Sequence, residues 1–447
     1  MLPLSLPQIS KVLQSDACFP PLAVKGFSID SRATRSSEVF FALQGKKANG
    51  AQFLKEVFEK GAIAAVVDKD YKGPTYGLYL IFVEDVLQAL QKLARHSLEE
   101  FAVKVIAITG SVGKTSTKHI LYNLLQGSFK VGMTPQNYNT EVGVPLALLN
   151  REECLDYYIV EMGMTQKGQI DFLVDLTIPY LSLITMVSYA HAENFAEGLS
   201  AIANAKAEIF SHPDTKIKIA PKPFFSIPFA ITHTFSMKDK HASFFLKKTD
   251  GKISVTENQK EFAFFDLPFT EEPFYYNFLA AYAAARTLGV MVQSIQKAAA
   301  NLTRIPGRFF PIQHKDLLLI DDTYNASIAS IQAALDHLPA PKKGGKKVVV
   351  LGEMKELGSF SLHLHEEVIK MALQKGDHLF FLGSSFYDFK DRYQNRGKPV
   401  EFFTCKKELT SNLLKVLSLQ DVVLLKGSRS LKMEEIREEI QEFIETC

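Results

Sequence analysis

Cysteine is scarce in this sequence, with four cysteines among 447 residues. They lack the close spacing that metal ligation needs, so we expect reduced thiols rather than a zinc site or a disulfide framework. Long apolar runs are also missing. None reaches the roughly 18 residues that cross a bilayer, and the N-terminus has no basic leader followed by a cleavage site. We therefore expect a cytoplasmic protein that does not insert into a membrane.

An excess of charge of one sign is absent as well. The chain has 51 Lys and Arg residues against 49 Asp and Glu residues, which gives a net charge of +2. A balance this close to neutral gives no reason to expect nucleic acid or an anionic membrane as a partner. Apolar residues make up 47% of the chain and charged residues 22%, as in ordinary globular proteins, and the length suits about three domains.

A glycine-rich segment between a predicted strand and a predicted helix is the strongest local signal. A β-branched run over 105–109 enters this turn, and a helical pattern follows over 117–125. The backbone N–H groups of such a loop and the positive end of the helix dipole face one point, which suits a phosphate. The residues assigned to this phosphate site are Gly110, Ser111, Val112, Gly113, Lys114, Thr115 and Ser116.

Three residue types in this loop have specific chemical roles. The two glycines remove the Cβ atoms that would block a phosphate, and Lys114 can reach the outer phosphates of a nucleotide. The hydroxyl of Thr115 can ligate Mg²⁺. The loop has two residues between its first glycine and the Gly-Lys pair, where the common phosphate loop has four. ATP with Mg²⁺ is the predicted ligand; an ordinary tight turn is the alternative interpretation.

The distribution of predicted strands and helices suggests three α/β domains. Residues 1–100 contain short strands and helices, typical of a small α/β domain. Residues 101–308 alternate strand and helix, which predicts a central ATP-binding domain with a mostly parallel sheet. Residues 309–447 repeat this alternation and predict a Rossmann-like C-terminal domain. A Phe-rich stretch over 212–272 predicts short antiparallel hairpins with aromatic packing between strands.

Several polar residues follow predicted strands, at the edge where open α/β sheets bind ligands. Glu161 ends the strand 157–161, and a carboxylate there would join Thr115 as an oxygen ligand of Mg²⁺. Arg308 closes the central domain with a guanidinium suited to phosphate. Taken alone, each of these residues is also compatible with a surface or structural role.

The motifs taken together resemble those of the Mur ligase family, and they occur in the family's order along nearly the whole chain. They are the shortened phosphate loop, Asp30-Ser31-Arg32, Asn137-x-Asn139, Ala205-Lys206-x-x-Ile209-Phe210, Asn277 before Leu-Ala-Ala, Arg308, Asp321-Asp322-x-Tyr324-Asn325-Ala326, Gly352-Glu353-Met354-x-Glu356-Leu357-Gly358 with His365, and Lys426-Gly427-Ser428-Arg429.

This resemblance implies roles around the metal and the nucleotide. It implies that His191 helps to hold a second Mg²⁺, and that Lys206 is carbamylated and thereby becomes a metal ligand. A carbamate would replace a cation that repels the metals with an anion that binds them. It also implies that Asn277 contacts the adenine. Lys114, Lys206, His191 and Asp322 are the predicted catalytic residues, and we expect Asp322 and Asn325 to hold the nucleotide only when the last domain swings in.

The resemblance also implies where the other substrates bind. Asp30, Ser31 and Arg32 would grip a UDP-sugar, Asn137 and Asn139 lie in a further substrate loop, and Lys426, Ser428 and Arg429 would bind a carboxylate. The chain departs from the family pattern at two places. Ala48-Asn49-Gly50-Ala51-Gln52-Phe53 replaces Asp-Gly-His-x-Phe, and Ser327-Ile328 replaces Asn-Pro.

The implied activity is that of an ATP-dependent amide ligase of cytoplasmic peptidoglycan synthesis. The last two motifs resemble those of the family members that join D-alanyl-D-alanine to UDP-N-acetylmuramoyl-tripeptide through an acyl phosphate, with ATP and Mg²⁺ as cofactors. We expect a monomer. The alternatives are another Mur-type ligase, a folylpolyglutamate-synthetase-like ligase and a phosphate-loop ATPase module. The folylpolyglutamate-synthetase-like ligase would lack the Asp-Ser-Arg domain, and the ATPase module would not need Lys206 or His191.

Overall fold

The computed structural model describes residues 4–15, 18–45, 48–190, 192–249, 252–394 and 397–445. Within these ranges the strands form three sheets, of four, nine and six strands, which follow one another along the chain. Helices cover the sheets, so the α/β fold class with three domains is confirmed. No helix in the described part of the chain has both the length and the apolar character required to cross a membrane.

The N-terminal sheet is parallel throughout and has the strand order β1-β2-β3-β4. Asp85 caps the N-terminus of the third helix, because its side chain accepts a hydrogen bond from the backbone N–H of Gln88 at 2.9 Å. The elements are α1 (Leu6–Leu13), β1 (Gly26–Ser28), β2 (Glu38–Phe41), α2 (Leu54–Glu59), β3 (Ala64–Asp68), β4 (Tyr79–Val83) and α3 (Val86–Glu100), with a 3₁₀ turn at Gly50–Phe53.

The central sheet has the order β13-β12-β11-β10-β9-β8-β5-β7-β6 and is parallel from β6 to β11. Strand β5, which leads into the phosphate loop, is buried between β7 and β8. The strands are β5 (Lys104–Thr109), β6 (Val131–Met133), β7 (Tyr157–Glu161), β8 (Leu181–Ile184), β9 (Ile217–Pro221), β10 (His233–Ser236), β11 (Phe244–Thr249), β12 (Lys252–Glu257) and β13 (Lys260–Phe265). The helices are α4 (Lys114–Leu125), α5 (Gly143–Leu149), α6 (Gln169–Thr177), α7 (Leu199–Ala207), α8 (Glu272–Thr287) and α9 (Val292–Ala299), with 3₁₀ turns at Ala192–Asn194 and Glu208–Phe210.

The Phe-rich stretch differs from its prediction in two ways. Its strands β9 and β10 continue the central sheet in parallel, and only β11–β13 form antiparallel hairpins. Aromatic rings pack on helix α8 as well as between strands: Phe265 lies 5.2 Å from Phe278 and 5.3 Å from Tyr282 between ring centroids, and Phe244 lies 6.0 Å from His233 on the neighbouring strand. Period-2 patterns reveal strands but not their direction, which here depends on contacts far along the chain.

Helix α8 begins before Asn277. Its first residue is Glu272 and Pro273 occupies its first turn, so Asn277 lies in the second turn. A proline is well tolerated at this position, because the first-turn N–H groups have no partner within the helix.

The C-terminal sheet has the order β14-β15-β19-β16-β17-β18, and only its edge strand β14 is antiparallel. Strands β15, β16 and β19 are adjacent, so the three motifs that follow them reach the same edge. The strands are β14 (Phe310–His314), β15 (Leu317–Asp322), β16 (Lys347–Gly352), β17 (His378–Leu382), β18 (Val400–Phe403) and β19 (Val422–Lys426). The helices are α10 (Ile328–Asp336), α11 (Ser361–Lys375), α12 (Ser384–Tyr387), α13 (Lys390–Tyr393), α14 (Lys406–Val416) and α15 (Glu434–Glu445), with 3₁₀ turns at Gly358–Phe360 and Arg429–Leu431.

A buried arginine joins the last helix of the N-terminal domain to the central domain. The guanidinium of Arg151 donates to the carbonyl of Ser97 at 2.6 Å, to the hydroxyl of Ser97 at 2.9 Å and to the carbonyl of Leu148 at 2.5 Å. Arg151 is 4% exposed, and burial lowers its pKa to about 10. The charged guanidinium stays buried although its removal from water is unfavourable. This indicates that its hydrogen bonds fix α3 against α5.

We expect Arg151→Met to lower the free energy of unfolding by about 2 to 3 kcal/mol, because it leaves buried carbonyls without their charged donor. Urea unfolding followed by circular dichroism measures this change. Arg95→Ala is the matched control on α3, since Arg95 is half-exposed and pairs with Glu99 across one helical turn, which is worth well under 1 kcal/mol. Equal loss in both variants would contradict the prediction.

Candidate active site

A cavity with a volume of about 440 Å³ lies between the central and C-terminal domains. It is bounded on one side by the phosphate loop and on the other by the ends of β15 and β19. The predicted site residues that line it are Ser111, Val112, Gly113, Lys114, Thr115, Ser116, Asn137, Asn139, Glu161, Lys206, Asn277, Arg308, Asp322, Asn325, Lys426 and Arg429. Residues assigned by separate motifs are therefore brought to one space.

The two loop glycines are required by the protein's own packing. Gly113 has φ +90°, and a Cβ there would stand 2.3 Å from the side-chain oxygen of Asn277. A Cβ on Gly110 would stand 2.0 Å from the hydroxyl oxygen of Thr185. Their role is thus broader than the predicted one of leaving room for a phosphate. Gly110 itself does not line the cavity, although its carbonyl accepts a hydrogen bond from Nζ of Lys114 at 2.7 Å.

Glu161 is the one carboxylate at the base of the phosphate loop among the described lining residues. Its Oε2 accepts a hydrogen bond from the hydroxyl of Thr115 at 2.9 Å, and its Oε1 accepts one from the amide of Asn139 at 3.0 Å. Burial alone would raise the pKa of Glu161, but Lys114 and Lys118 outweigh it and hold the pKa below its usual range. Glu161 is therefore ionised at neutral pH.

Lys118 is a site residue that the sequence analysis missed. Its side chain is fully buried, and its Nζ donates to the carbonyls of Thr134 and Gln136 at 2.9 and 3.0 Å and lies 3.3 Å from Oε2 of Glu161. Lys118 follows Lys114 by four residues on helix α4, so both point to the same face. That spacing was the available signal.

Lys206 is buried, with 2% of its surface exposed, and it lines the cavity from helix α7. Burial, and secondarily the charge of Lys114, place the pKa of Lys206 well below its usual value. These surroundings favour the neutral, nucleophilic form of the amine over its charged form, compared with a lysine in solvent. This state is the one that reaction with CO₂ requires.

The oxygen donors at the phosphate loop fit Mg²⁺ in part. Thr115 and Glu161 are neighbours at the cavity wall, and Mg²⁺ commonly takes one or two protein oxygens and completes its shell with phosphate and water. In the described ranges, no group of three or more His, Cys, Asp or Glu side chains could hold a metal ion. The predicted ligand His191 lies outside the described residues.

Arg308 stands over the phosphate loop at the junction of the central and C-terminal domains. Its Nη2 lies 3.3 Å from the hydroxyl of Thr115, and its guanidinium lies 3.8 Å from the ring centroid of Tyr324. Arg429 approaches the same ring at 5.9 Å. Tyr324, which the sequence analysis named in a motif without giving it a role, thus holds two guanidinium groups at the cavity through cation–π contacts.

Asp322 forms a buried ion pair in this structure. Its Oδ2 accepts from Nζ of Lys426 at 2.6 Å, and its Oδ1 accepts from the backbone N–H of Phe309 at 3.1 Å. Lys426 also donates to the carbonyl of Asn325 at 2.9 Å, while the side chain of Asn325 is exposed. Lys426 was predicted to bind a substrate carboxylate; here it binds the carboxylate of Asp322.

Four of the described residues predicted to bind substrate do not line the cavity. Ser428 is buried, and its hydroxyl accepts the backbone N–H of Lys355 at 2.9 Å. Asp30, Ser31 and Arg32 lie in the N-terminal domain, where the guanidinium of Arg32 pairs with Asp30 at 2.6 Å and remains 84% exposed. The structure thus leaves the predicted UDP-sugar residues apart from the cavity.

Two family models match this chain, and the matches contain residues from opposite sides of the cavity. Residues 108–285 match the model of the Mur ligase middle domain, and residues 307–429 match that of the Mur ligase, glutamate ligase domain. The first match contains the phosphate loop, Glu161, Lys206 and Asn277. The second contains Arg308, Asp322 and Arg429.

Whole-chain relatives agree with these matches. The UDP-N-acetylmuramoyl-tripeptide–D-alanyl-D-alanine ligase of Bacillus subtilis is 30% identical, covering 94% of this chain and 93% of its own. The crystal structure of MurF from Acinetobacter baumannii has a TM-score of 0.85 and 27% identity, covering 99% of both chains. MurF from Thermotoga maritima in complex with ADP has a TM-score of 0.79 and 28% identity, over 95% of this chain and 98% of that one. With cavity, motifs and whole-length likeness in agreement, this chain belongs to the Mur ligase family.

Proposed function

We propose that this protein joins D-alanyl-D-alanine to UDP-N-acetylmuramoyl-tripeptide, with ATP cleaved to ADP and phosphate. The relatives that match nearly the whole chain carry this activity in their names. The observation that carries the proposal is the single cavity, in which the phosphate loop, the low-pKa Lys206 and the basic residues of the C-terminal domain meet.

The reaction needs activation because a carboxylate is anionic and offers no leaving group to an amine. In the proposed sequence a carboxylate oxygen of the tripeptide bonds to the γ-phosphorus of ATP, and ADP leaves. The amine of D-alanyl-D-alanine then bonds to the acyl carbon and loses a proton. The carbon–oxygen bond breaks, and inorganic phosphate departs with that oxygen. Amide formation and phosphate release therefore occur in a ratio of one to one.

The chain's own residues supply charge and position for the first step. Nζ of Lys114 would leave the carbonyl of Gly110 and contact the outer phosphates, and Arg308 would approach the transferring group from the other domain. Thr115 and Glu161, with His191 and carbamylated Lys206 from the sequence prediction, would hold Mg²⁺. Magnesium, when bound, supplies neutralisation of phosphate charge.

Part of the cavity offers apolar surface for the base of the nucleotide. Pro273 and Phe274 line this end from α8, Ala333 and Ala334 line it from α10, and His337 lines it directly after α10. We propose that the adenine lies between these two helices, with Asn277 one turn further along α8. This end joins the two domains, so a bound nucleotide would help to hold them together and exclude water from the acyl phosphate.

The UDP-sugar is proposed to bind at the N-terminal domain through the segment 30–32. Arg32 is exposed, and Nε and Nη2 of its guanidinium donate to the carboxylate of Asp30. On binding, the guanidinium would exchange that carboxylate for a pyrophosphate of similar geometry. The four-stranded N-terminal sheet also argues against a folylpolyglutamate-synthetase-like ligase, the alternative that would lack this domain.

The first test is phosphate release by the purified protein with ATP and Mg²⁺. We expect release to rise at least tenfold only when UDP-N-acetylmuramoyl-tripeptide and D-alanyl-D-alanine are both present, with one amide formed per phosphate. Mass spectrometry detects the amide. Lys114→Met should lower turnover about a hundredfold or more, because it removes a cation at the transferring phosphoryl group. Turnover that ignores both substrates would instead identify an ATPase module.

A second test concerns Lys206. We expect Lys206→Arg to abolish most activity, by about a hundredfold or more, because arginine keeps a positive charge and does not form the carbamate. With ¹³C-labelled bicarbonate, the NMR spectrum of the unmodified protein should show a carbamate resonance that Lys206→Arg lacks. Lys216→Arg on the surface is the matched control. A carbamate signal that persists in Lys206→Arg would refute the assignment.

A third test addresses the nucleotide contact proposed for the C-terminal domain. We expect Asn325→Ala to raise the KM for ATP about fivefold to tenfold, because the exposed amide, whose oxygen here accepts the backbone N–H of Ala326 at 2.9 Å, would turn toward the nucleotide when the domains close. Steady-state kinetics measures the change. Asn412→Ala, on the outer helix α14, should leave KM unaltered. An unchanged KM in Asn325→Ala would remove Asn325 from the nucleotide site.

A further inference from the structure

The segment Glu353–Phe360 of the C-terminal domain, here called the docking loop, makes two different sets of contacts. Its first half is fixed within its own domain. Glu353 is 4% exposed and accepts the backbone N–H of Ser385 at 3.1 Å. The backbone N–H of Met354 donates to Nε2 of His365 at 3.0 Å.

The contacts of His365 define its tautomer. Nδ1 lies 2.7 Å from the carbonyl of Ser361, which can only accept, so the ring proton resides on Nδ1 and Nε2 accepts from Met354. His365 is fully buried, and burial lowers its pKa. A neutral imidazole with both nitrogens in use therefore anchors the start of the docking loop to helix α11.

The second half of the docking loop contacts the central domain instead. The carbonyl of Glu356 accepts the backbone N–H of Glu193 at 3.1 Å. Gly358 has φ +54°, and a Cβ on it would stand 2.7 Å from Cα of Glu193. The ring of Phe360 lies 5.2 Å from that of Tyr189 between centroids. Because the backbones of Gly358 and Glu193 face each other directly, rotation of a side chain could not relieve such a clash.

The segment 187–198, described here by residues 187–190 and 192–198, receives these contacts and belongs to the cavity side of the central domain. The hydroxyl of Ser111 in the phosphate loop donates to the carbonyl of Ser188 at 2.8 Å and accepts its backbone N–H at 3.0 Å. Asn194 donates to the carbonyl of Thr165, which lines the cavity. Helix α7, which carries Lys206, begins directly after this segment.

We infer that Gly358 and Phe360 are positioning residues for the reaction, because they hold the segment 187–198 against the phosphate loop from the opposite domain. The inference rests on the proposed function for its kinetic readout, and on geometry alone for its structural one. Loss of the docking contact would loosen the wall of the cavity next to Lys206. The acyl phosphate would then meet water, so phosphate release would exceed amide formation.

Gly358→Ala tests this directly, with Gly344→Ala as the matched control. Both glycines are exposed in the C-terminal domain with positive φ, but a Cβ on Gly344, at φ +87°, meets nothing within 4 Å among the described residues. The two variants therefore share the backbone strain, and only the first has the clash. We expect Gly358→Ala to lower kcat at least tenfold and to release at least two phosphates per amide, while Gly344→Ala behaves as the unmodified protein.

Hydrogen exchange supplies a readout that does not depend on activity. We expect amides in 187–198 to exchange at least tenfold faster in Gly358→Ala than in Gly344→Ala, with unaltered exchange in the N-terminal domain. Equal exchange in the two variants would overturn the inference, even if the ligase activity is established. If neither the unmodified protein nor any variant makes the amide, the proposed function is overturned. Hydrogen exchange would then still test the contact between the docking loop and the segment 187–198.

The ring pair gives a second test that avoids the clash. We expect Phe360→Ala and Tyr189→Ala each to lower kcat about threefold, and the double variant to lose no more than either single one, because both remove the same contact. Tyr189→Phe should retain full activity. If the kcat losses of the two single variants multiply in the double variant, a shared positioning role is contradicted. An unaltered phosphate-to-amide ratio in all three alanine variants would contradict it as well.

Discussion

One buried carboxylate, Glu161, faces an accumulation of positive charge on which the site depends. Lys114, Lys118 and Arg308 surround it, and Lys206 lies in the same wall. A bound triphosphate would add negative charge here and reduce the repulsion among these cations. Burial first, and the charge of Lys114 second, lower the pKa of Lys206.

The central and C-terminal domains both contribute to this site through the ends of parallel strands. Strands β5 and β7 of the central sheet deliver the phosphate loop and Glu161, and strands β15 and β19 of the C-terminal sheet deliver Asp322 and Lys426. The two edges face each other across the cavity, so neither domain holds the complete set of charges. This division suits a reaction that must bring several anionic groups together and release them again.

The sequence predicted those parts that are local and periodic. The phosphate loop, the strands around it and the Asp85 helix cap were predictable because their signals lie within a few residues. The parallel direction of β9 and β10, the role of Lys118 and the cation–π contacts of Tyr324 were not, because each depends on partners outside the local window of a helix turn or a hairpin. The boundaries at 100 and 308, and the role of His191, stay predictions. The resemblance to a family supplied functions that spacing alone left open.

The covalent connection between the central and C-terminal domains runs through the cavity itself. Gly307 has φ +75° and Phe309 φ +50°, and Arg308 between them reaches the phosphate loop. The segment that connects the two domains is therefore also a wall of the cavity. An inhibitor that fills this space would contact both domains and their connection together, so it would occupy the proposed nucleotide site and hold the angle between the domains in a single event.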